Sequence, residues 1–359
     1  MNTMMTYINQ QFGVLKEITS KYQERLTSFG RLIEEKQPKN WLILATGSSY
    51  NSTLAAKMYV EKIAGVKIEI QEPFNFFEYE KVSKDTDLII AVSQRGTSYS
   101  TIEAIKKCAA DSEVPRVIIT SILDSPIVNY GNEVIDMGCG IETVGYSTKG
   151  VSATILTLML MGIVAGKELE VLTNDDVEHE VNKITQLIEW IPGTIEKSID
   201  FYQQNKVELD KAKRFTPIGY GPNVGTVREA ETKFTETIRV PTQGFELEAY
   251  MHGPIFELQE DYFVMFTEVA PSTPYERSTR LNDYLSKYCH HVYSISNLPQ
   301  DSNKKHLGLD ATVDEYLSPL LLVVPYQVLS YYISLAKGID LSIPVYDDFR
   351  TVMKSKVSN

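Results

Sequence analysis

Cysteine and histidine are scarce in this sequence of 359 residues. Its three cysteines, Cys108, Cys139 and Cys289, lack the spacing of a metal site and give no basis for a disulfide framework. None of the five histidines has a carboxylate or cysteine cluster at metal-ligand spacing. We therefore predict reduced thiols, a cytoplasmic location, no metal and no cofactor.

The sequence also has fewer basic than acidic residues, with 35 lysines and arginines and 47 aspartates and glutamates. The formal net charge of −12 argues against a nucleic-acid-binding protein, whose surface must neutralise backbone phosphates. It leaves room for a small anionic ligand, since a helix N-terminus can bind an anion locally.

Long uninterrupted apolar runs are absent as well. The run at 150–166 is short and carries hydroxyl groups, and the run at 318–336 is interrupted by Pro325, Gln327, Ser330 and Ser334. We predict that both are buried helices and that the protein has no membrane partner. The first residues, MNTMMTYINQQ, lack a basic region followed by an apolar core, so no signal peptide is expected.

The sequence does contain a repeated pattern of strand, polar loop and helix. The pattern occurs at NWLILATGSSYNSTLAAKMYVEKIAG and DLIIAVSQRGTSYSTIEAIKKCAA, and again at FTPIGYGPNVGTVREAETKFTETI and YFVMFTEVAPSTPYERSTRLNDYLSKY. Strands that alternate with helices predict an α/β fold in which helices cover a parallel sheet. The same number of positions separates Gly47 from Ser93 and Gly221 from Thr267, each just after a predicted strand. We infer an internal duplication.

The pattern also predicts where the regions of the chain begin and end. We expect an N-terminal helical segment at 1–37, a first domain at 38–166, a charged helical connector at 167–205, a second domain at 206–340 and a C-terminal tail at 341–359.

Two loops of the first half are rich in hydroxyl groups and precede helices. Ligands of open parallel sheets bind beyond the carboxyl ends of the strands, which is where residues 46–52 and 93–101 fall. Backbone N–H groups, hydroxyls and the positive ends of two helix dipoles predict an anion site there. The alternative is that each hydroxyl is an ordinary helix N-cap. Neither loop has the glycine spacing of a Walker A or dinucleotide-binding motif.

A third pattern lies near the middle of the second half. If residues 227–238 are helical, Glu229, Lys233 and Glu236 share one face of the helix. From the spacing alone, a Glu–Lys pair on a solvated helix face explains the pattern.

Several of these segments together resemble sugar isomerase (SIS) domain proteins. The resemblance is carried by TGSSYNSTLAA, AVSQRGTSYSTIEAI, ETVGYSTKG, EAYMHGP and DEYLSPLLLVVPYQVLSYYISLAKGIDLSIP, and it spans about residues 38–359. It is greatest to the isomerase half of glucosamine-6-phosphate synthase and its stand-alone relatives. It implies two tandem SIS domains, each a parallel sheet flanked by helices in a three-layer αβα, flavodoxin-like arrangement.

The resemblance implies that the two loops hold a sugar phosphate. The matching phosphate-binding positions are Ser48, Ser49, Ser93, Gln94 and Ser98. The family's second loop usually reads SQSGET and this one reads SQRGTS, so Arg95 stands in place of a third hydroxyl. Arg95 is expected to contact the phosphate, to point to solvent or to pair with a carboxylate. The resemblance also implies that Ser147, in the segment that closes over the sugar in the family, contacts the substrate, with Glu142 as the matching acid. The alternative is a surface loop followed by a helix N-cap at Ser147 or Thr148.

The resemblance also implies the acid–base residues. Glu236 matches the glutamate that moves a proton between C1 and C2, and Lys233 matches a family lysine. His252 lies before Gly-Pro at the family's spacing from Glu236 and matches a histidine that assists ring opening across a dimer interface. The tail VYDDFRTVMKSKVSN resembles an active-site tail with a sugar-contacting lysine, for which Lys354 and Lys356 are both candidates. The alternative for this tail is a disordered basic end.

These features predict a homodimeric phosphosugar enzyme of the isomerase or deaminase type that acts on an amino-sugar or ketose 6-phosphate. The alternatives are a fructosamine-6-phosphate deglycase and a non-catalytic sugar-phosphate-binding regulator. The chain has no cysteine before Cys108, so no glutaminase domain is expected, and ammonia would not be released from glutamine by that route unless a separate partner supplies it. The tail and the segment AKGIDLSIP favour the amino-sugar branch by analogy with the family.

Overall fold

The fold is described from a computed structural model that covers residues 2–346 and 348–357. Met1 of the predicted N-terminal segment, and Asp347, Ser358 and Asn359 of the predicted tail, lie outside the described residues.

Ten strands and fourteen α-helices make up the described part of the chain. The strands are β1 (Asn40–Leu44), β2 (Lys67–Gln71), β3 (Leu88–Val92), β4 (Arg116–Thr120), β5 (Glu133–Asp136), β6 (Phe215–Gly219), β7 (Phe245–Glu246), β8 (Phe263–Glu268), β9 (His291–Ser296) and β10 (His306–Gly308). The helices are α1 (Met4–Ser20), α2 (Tyr22–Arg25), α3 (Thr27–Lys36), α4 (Ser48–Ala64), α5 (Pro73–Tyr79), α6 (Tyr99–Asp111), α7 (Lys149–Glu168), α8 (Asn174–Glu189), α9 (Ile191–Leu209), α10 (Asn223–Thr237), α11 (Leu247–Met251), α12 (Tyr275–Leu285), α13 (Pro319–Ala336) and α14 (Phe349–Val352).

The first sheet is parallel and has five strands in the order β2-β1-β3-β4-β5. Its central strand β3 reads LIIAV, and all of its residues are buried, as expected for a strand covered on both faces. On one side α7 packs closely against α4, because Gly162 brings its backbone to the Cα of Val60. A Cβ at Gly162 would lie 3.2 Å from that atom, so a larger side chain would force the two helices apart.

The second sheet repeats this arrangement. Its order is β10-β9-β8-β6-β7, again all parallel, which is the order of the first sheet when the strands are numbered from β6. The prediction of two tandem α/β domains of flavodoxin-like topology is therefore confirmed. The inferred equivalence needs one correction, because Ser93 follows β3 whereas Thr267 lies inside the longer strand β8.

The chain forms two compact units, which are described separately below. The first-sheet unit comprises Gly13–Thr143, Lys149–Thr185 and the tail from Pro344. The second-sheet unit comprises the residues up to Phe12, Val144–Thr148 and Gln186–Ile343. The domain boundaries proposed from the sequence stay a prediction.

Two helices, α7 and α13, are long and apolar enough to cross a membrane. Of their most apolar windows, 94% and 78% of the residues are buried within the fold. This burial agrees with the prediction that both segments are core helices, since lipid-facing residues would be exposed on the protein.

Candidate functional site

The strand order of the first sheet reverses between two neighbours, β1 and β3. Such a switch point opens a crevice at the carboxyl ends of the strands, because the connections from the two strands leave in opposite directions. The chain leaving β1 enters α4, and the chain leaving β3 enters α6. Both hydroxyl-rich loops predicted as a phosphate site therefore lie at this crevice, which we call the first switch point.

The first of these loops ends at Gly47, the N-cap residue of α4. Its φ of 57° lies in the left-handed region, which a glycine adopts without strain. No side chain caps α4, so its first backbone N–H groups are not satisfied by a capping side chain. Ser48 and Ser49 occupy the first turn and are half-buried. The hydroxyl of Ser49 makes no hydrogen bond within the described residues.

The second loop runs from Ser93 to Ser98, the N-cap residue of α6. No side chain caps α6 either, and neither serine hydroxyl bonds to a protein group in the part of the chain that the structure describes. Gly96 combines a φ of 62° with a close approach to Ser125, whose Oγ would lie 1.9 Å from an added Cβ. The first switch point thus offers two uncapped helix N-termini and hydroxyls without protein partners, which suits a multivalent anion.

A third helix starts near this edge, and its N-terminus is already occupied. The buried carboxylate of Glu142 accepts a hydrogen bond from the backbone N–H of Gly150 in the first turn of α7, at 3.0 Å. A carboxylate at this position satisfies the helix dipole in the way that a bound anion would. Any anion at this edge is therefore directed to α4 and α6 rather than to α7.

The same carboxylate holds Gln94. The Nε2 atom of Gln94 donates to Glu142 Oε1 at 3.0 Å, and Cys139 Sγ is 3.8 Å away. Gly150 makes room for this side chain, since a Cβ there would lie 2.2 Å from Gln94 Nε2. The side-chain amide of Gln94 is thus directed at Glu142, and its assignment as a phosphate contact stays a prediction.

Arg95 makes a contact that was not among the expected ones. Its Nη2 donates a hydrogen bond to the backbone carbonyl of Glu142 at 2.8 Å, so the guanidinium contacts a main-chain oxygen. Arg95 and Gln94 therefore hold the same residue, one through its carbonyl and the other through its carboxylate.

The C-terminal tail pairs with the second loop. Lys356 forms an antiparallel bridge with Ser98, and the backbone N–H of Val357 donates to the carbonyl of Thr97 at 2.9 Å. Although Lys356 remains exposed, partial burial of its ammonium and the charges of Arg95 and Arg350 lower its pKa. Lys354 is exposed and makes no side-chain hydrogen bond within the described residues. Of the two candidate lysines, Lys356 is the one beside the second loop.

The acid–base candidates of the second-sheet unit form a compact charge cluster on α10. Lys233 Nζ lies 3.3 Å from Glu229 Oε1 and donates a hydrogen bond to Glu236. Lys233 and Glu229 are 1% and 2% exposed, whereas 33% of the Glu236 side chain is exposed. The interpretation of a Glu–Lys pair on a solvated helix face is wrong, because the side chains of Lys233 and Glu229 on this face are buried.

Burial and charge act against each other in this cluster. Burial opposes the positive charge of Lys233, but the carboxylates of Glu236 and Glu229 outweigh it and raise its pKa, so the ammonium is retained. Protein atoms crowd the Glu236 carboxyl closely enough to raise its pKa, against the opposing effect of Lys233. A carboxyl group whose pKa is raised toward neutral pH, and whose side chain is still partly open to solvent, is suited to take up and return a proton.

Two further predicted residues, His252 and Ser147, belong to the second-sheet unit. His252 ends α11, is exposed, and makes no side-chain hydrogen bond or ion pair in the described chain. Phe256, four residues later, is 89% exposed. Ser147 is half-buried and lies two residues before α7. Among the described residues, Lys233 is thus paired with Glu236, whereas the His252 side chain makes no hydrogen bond or ion pair.

The switch point of the second sheet, between β6 and β8, is filled by the protein itself. The hydroxyl of Tyr220 donates to the carbonyl of Val269 at 3.1 Å and accepts from its N–H at 2.9 Å, and Ser272 Oγ lies 3.2 Å away. Glu268, at the end of β8, is buried and accepts a hydrogen bond from Ser278 at 2.6 Å. A buried carboxyl and a buried tyrosine thus occupy the second crevice, where the first offers uncommitted hydroxyls.

Burial raises the pKa of Glu268 from 4.5 to about 7. A raised pKa means that the folded protein binds this proton more tightly than the unfolded chain does, so stability is lost as the pH rises from about 4.5 to 7. We expect Glu268→Gln to remove this loss and to stabilise the fold at pH 8 relative to wild type by up to about 3 kcal/mol, with little effect near pH 4.5. Urea denaturation at both pH values measures it. Glu276→Gln, at an exposed glutamate, is the control, and a difference from wild type that does not change with pH would contradict the expectation.

Some participants carry no signal in the sequence. Gly150 admits the Gln94 side chain, and Glu229 completes the charge cluster, yet a glycine or a glutamate within a helix is common. Glu229 was on the predicted face with Lys233 and Glu236, but nothing in the spacing indicated that this face is buried. The two- and three-residue strands β7 and β10 were missed because they are too short to show alternation.

Comparison with known proteins gives the family context. Residues 36–164 match the SIS domain. A glutamine–fructose-6-phosphate aminotransferase (isomerizing) from Gloeobacter violaceus is 27% identical over 84% of this chain and 50% of that protein. The chain spans about half the length of the curated relatives it matches.

Solved structures agree over the full length of the chain. A candidate phosphosugar isomerase from Clostridium difficile is 26% identical, with a TM-score of 0.91 over 100% of both chains. A glucosamine-6-phosphate deaminase from Thermotoga maritima is 18% identical and has the same fold, with a TM-score of 0.75 over 96% of this chain and 97% of that one. The match over residues 36–164 shows that the chain contains a SIS domain, and its fold is shared with solved structures that include a candidate phosphosugar isomerase.

Proposed function

We propose that the protein is an enzyme acting on an amino-sugar or ketose 6-phosphate, as an isomerase or deaminase, by moving a proton between C1 and C2. The observation that carries this proposal is the first switch point, where, among the described residues, no side chain caps the two helix N-termini and no protein group bonds to the hydroxyls of Ser49, Ser93 and Ser98. A phosphate dianion would satisfy both, since it accepts several hydrogen bonds and favours the positive end of a helix dipole.

The α10 cluster supports the proton-transfer step. We propose that Glu236 is the base, because its carboxyl is partly open to solvent and its pKa is raised by burial. Lys233 stays charged between Glu229 and Glu236 and would orient the carboxylate of Glu236 toward the carbon acid. Removing a proton from C2 or C1 gives an enediol or enolamine, the intermediate shared by isomerisation and deamination.

The remaining roles follow the family resemblance. We propose that His252 assists ring opening in a second copy of the chain within a homodimer, which is supported by its exposure and its lack of a side-chain partner here. We propose that Lys356 rather than Lys354 contacts the open-chain sugar, because Lys356 is held beside the second loop. Ser48 and Ser147 are proposed as further substrate contacts. The free, buried cysteines suit a reducing cytoplasm.

Incubation with a set of phosphosugars in deuterated water tests this function. The set consists of hexosamine 6-phosphates, ketose 6-phosphates and fructosamine 6-phosphates, and the readouts are deuterium at C2, ammonia, free amino acid and sugar product. We expect deuterium at C2 with at least one ketose or hexosamine 6-phosphate, with ammonia marking deamination.

The outcomes separate the alternatives. Free amino acid from a fructosamine 6-phosphate would replace the proposal with a deglycase. Saturable binding without deuterium at C2 for any member of the set would replace it with a sugar-phosphate-binding regulator.

A further inference from the structure

Gln94 and Arg95 are consecutive residues of the second loop, and the side chains of both donate hydrogen bonds to Glu142. Arg95 Nη2 holds the Glu142 carbonyl at 2.8 Å, and Gln94 Nε2 holds its carboxylate at 3.0 Å. Glu142 belongs to the segment Cys139–Thr143, which connects β5 to the region before α7. We call these contacts the 94–95 clamp.

The clamp is anchored on both sides. The carbonyl of Gln94 accepts hydrogen bonds from Ser121 N at 2.9 Å and from Thr120 Oγ1 at 3.2 Å, which fixes the loop to the end of β4. Glu142 is buried and also accepts from Gly150 N, which fixes it to the start of α7. The clamp therefore connects the candidate phosphate loop to the segment that runs on to Ser147.

The chemistry of the contact assigns Arg95 a role different from that of a phosphate ligand. A guanidinium donates but cannot accept, and here a donor is directed at a main-chain oxygen of the neighbouring segment. A serine in its place would be too short to span this gap, so a chain with the usual hydroxyl at this position would lack the contact.

We propose that Arg95 is a positioning residue that fixes Cys139–Thr143 against the second loop and thereby sets the affinity for the phosphosugar through the geometry of both segments. The inference rests on the proposed function, since it takes the second loop as part of the substrate site. In this role Arg95 does not bind the phosphate directly. The second loop binds the anion, and Arg95 holds the adjacent segment Cys139–Thr143.

Arg95→Met tests the proposal, with Ser98→Ala as the matched change in the same loop. We expect Arg95→Met to speed amide hydrogen exchange in residues 139–143 about tenfold, because a charge-assisted hydrogen bond is lost. It should change the affinity for inorganic phosphate less than about twofold, whereas Ser98→Ala should weaken that affinity several-fold without faster exchange at 139–143. With the phosphosugar identified by the screen, Arg95→Met should raise KM about tenfold and change kcat less than about threefold.

A second variant keeps the test decisive if Arg95→Met folds poorly. Arg95→Gln retains a donor and should show the same pattern at smaller amplitude. Glu142→Ala removes the carboxylate that Gln94 holds but keeps the main-chain carbonyl that Arg95 holds, so Arg95→Met should still speed exchange at 139–143 in that background.

Two results would overturn the proposal. The first is loss of phosphate affinity in Arg95→Met with unchanged exchange at 139–143, which would make Arg95 a phosphate ligand. The second is faster exchange with unchanged KM, which would make the clamp purely structural. Failure of the proposed function looks different: the phosphosugar screen would give no turnover in wild type, while the exchange rates still decide whether Arg95 holds the segment.

Discussion

Glu236→Gln is expected to lower kcat by about 10²–10⁴-fold while leaving phosphosugar binding within about twofold of wild type. Glutamine matches glutamate in size but cannot accept the substrate proton, and removal of a general base costs on this scale. Lys233 keeps its second carboxylate partner, Glu229 at 3.3 Å, so the charge cluster is not dismantled. Steady-state rates and a direct binding isotherm measure the two effects separately.

Glu276→Gln is the matched control for this change. Glu276 lies on the exposed surface of α12, where 76% of its side chain is open to solvent and Arg280 is its partner. The same substitution there removes a surface charge that contributes little to stability and touches no candidate site residue. If Glu236→Gln retained more than about a tenth of the wild-type rate, Glu236 would not be the base.

Lys233→Met is expected to destabilise the fold by about 3–5 kcal/mol, because breaking a buried ion pair leaves an uncompensated charge. Lys233 is 1% exposed and lies between two carboxylates, of which Glu229 is 2% exposed. The loss should be smaller at pH 5 than at pH 8, since burial raises the pKa of the Glu236 carboxyl and its protonation removes part of the unpaired charge. Urea denaturation at both pH values gives the free energy of unfolding.

Lys57→Met provides the comparison for the lysine substitution. Lys57 pairs with Glu61 at 2.9 Å on α4, with 28% and 26% of the two side chains exposed. Removing a partly exposed pair of this kind costs about 1 kcal/mol or less. A loss at Lys233 no greater than that at Lys57 would contradict the view that the α10 cluster is a buried charge network.

The fold could be predicted from the sequence because its signals are local. An apolar run such as LIIAV, followed by a polar loop and an amphipathic helix, marks each strand–helix unit wherever it occurs. The position of the two candidate phosphate loops followed from the same signals, since parallel strands end at one edge. That rule places Ser49 and Ser98 at the first switch point without knowledge of any contact.

What the sequence could not predict depends on contacts between distant positions. The spacing of Glu229 and Lys233 defines a helix face but not what covers it, so their burial was missed. The partner of Arg95 is a main-chain carbonyl, which every residue possesses, so no pattern in the sequence marks Glu142 as the acceptor. The sequence also could not predict that the second switch point is filled, because Tyr220 occupies it through hydrogen bonds to the backbone of Val269, which no sequence pattern marks.

The residues at positions 150 and 94 are coupled by packing. The Gln94 amide occupies the space of the Cβ that Gly150 lacks, and an added Cβ would lie 2.2 Å from its nitrogen. A side chain at the first position would displace the amide of the glutamine at the second and with it the contact to Glu142. The two positions are therefore expected to vary together among sequences that share this fold, although they lie in different connections of the sheet.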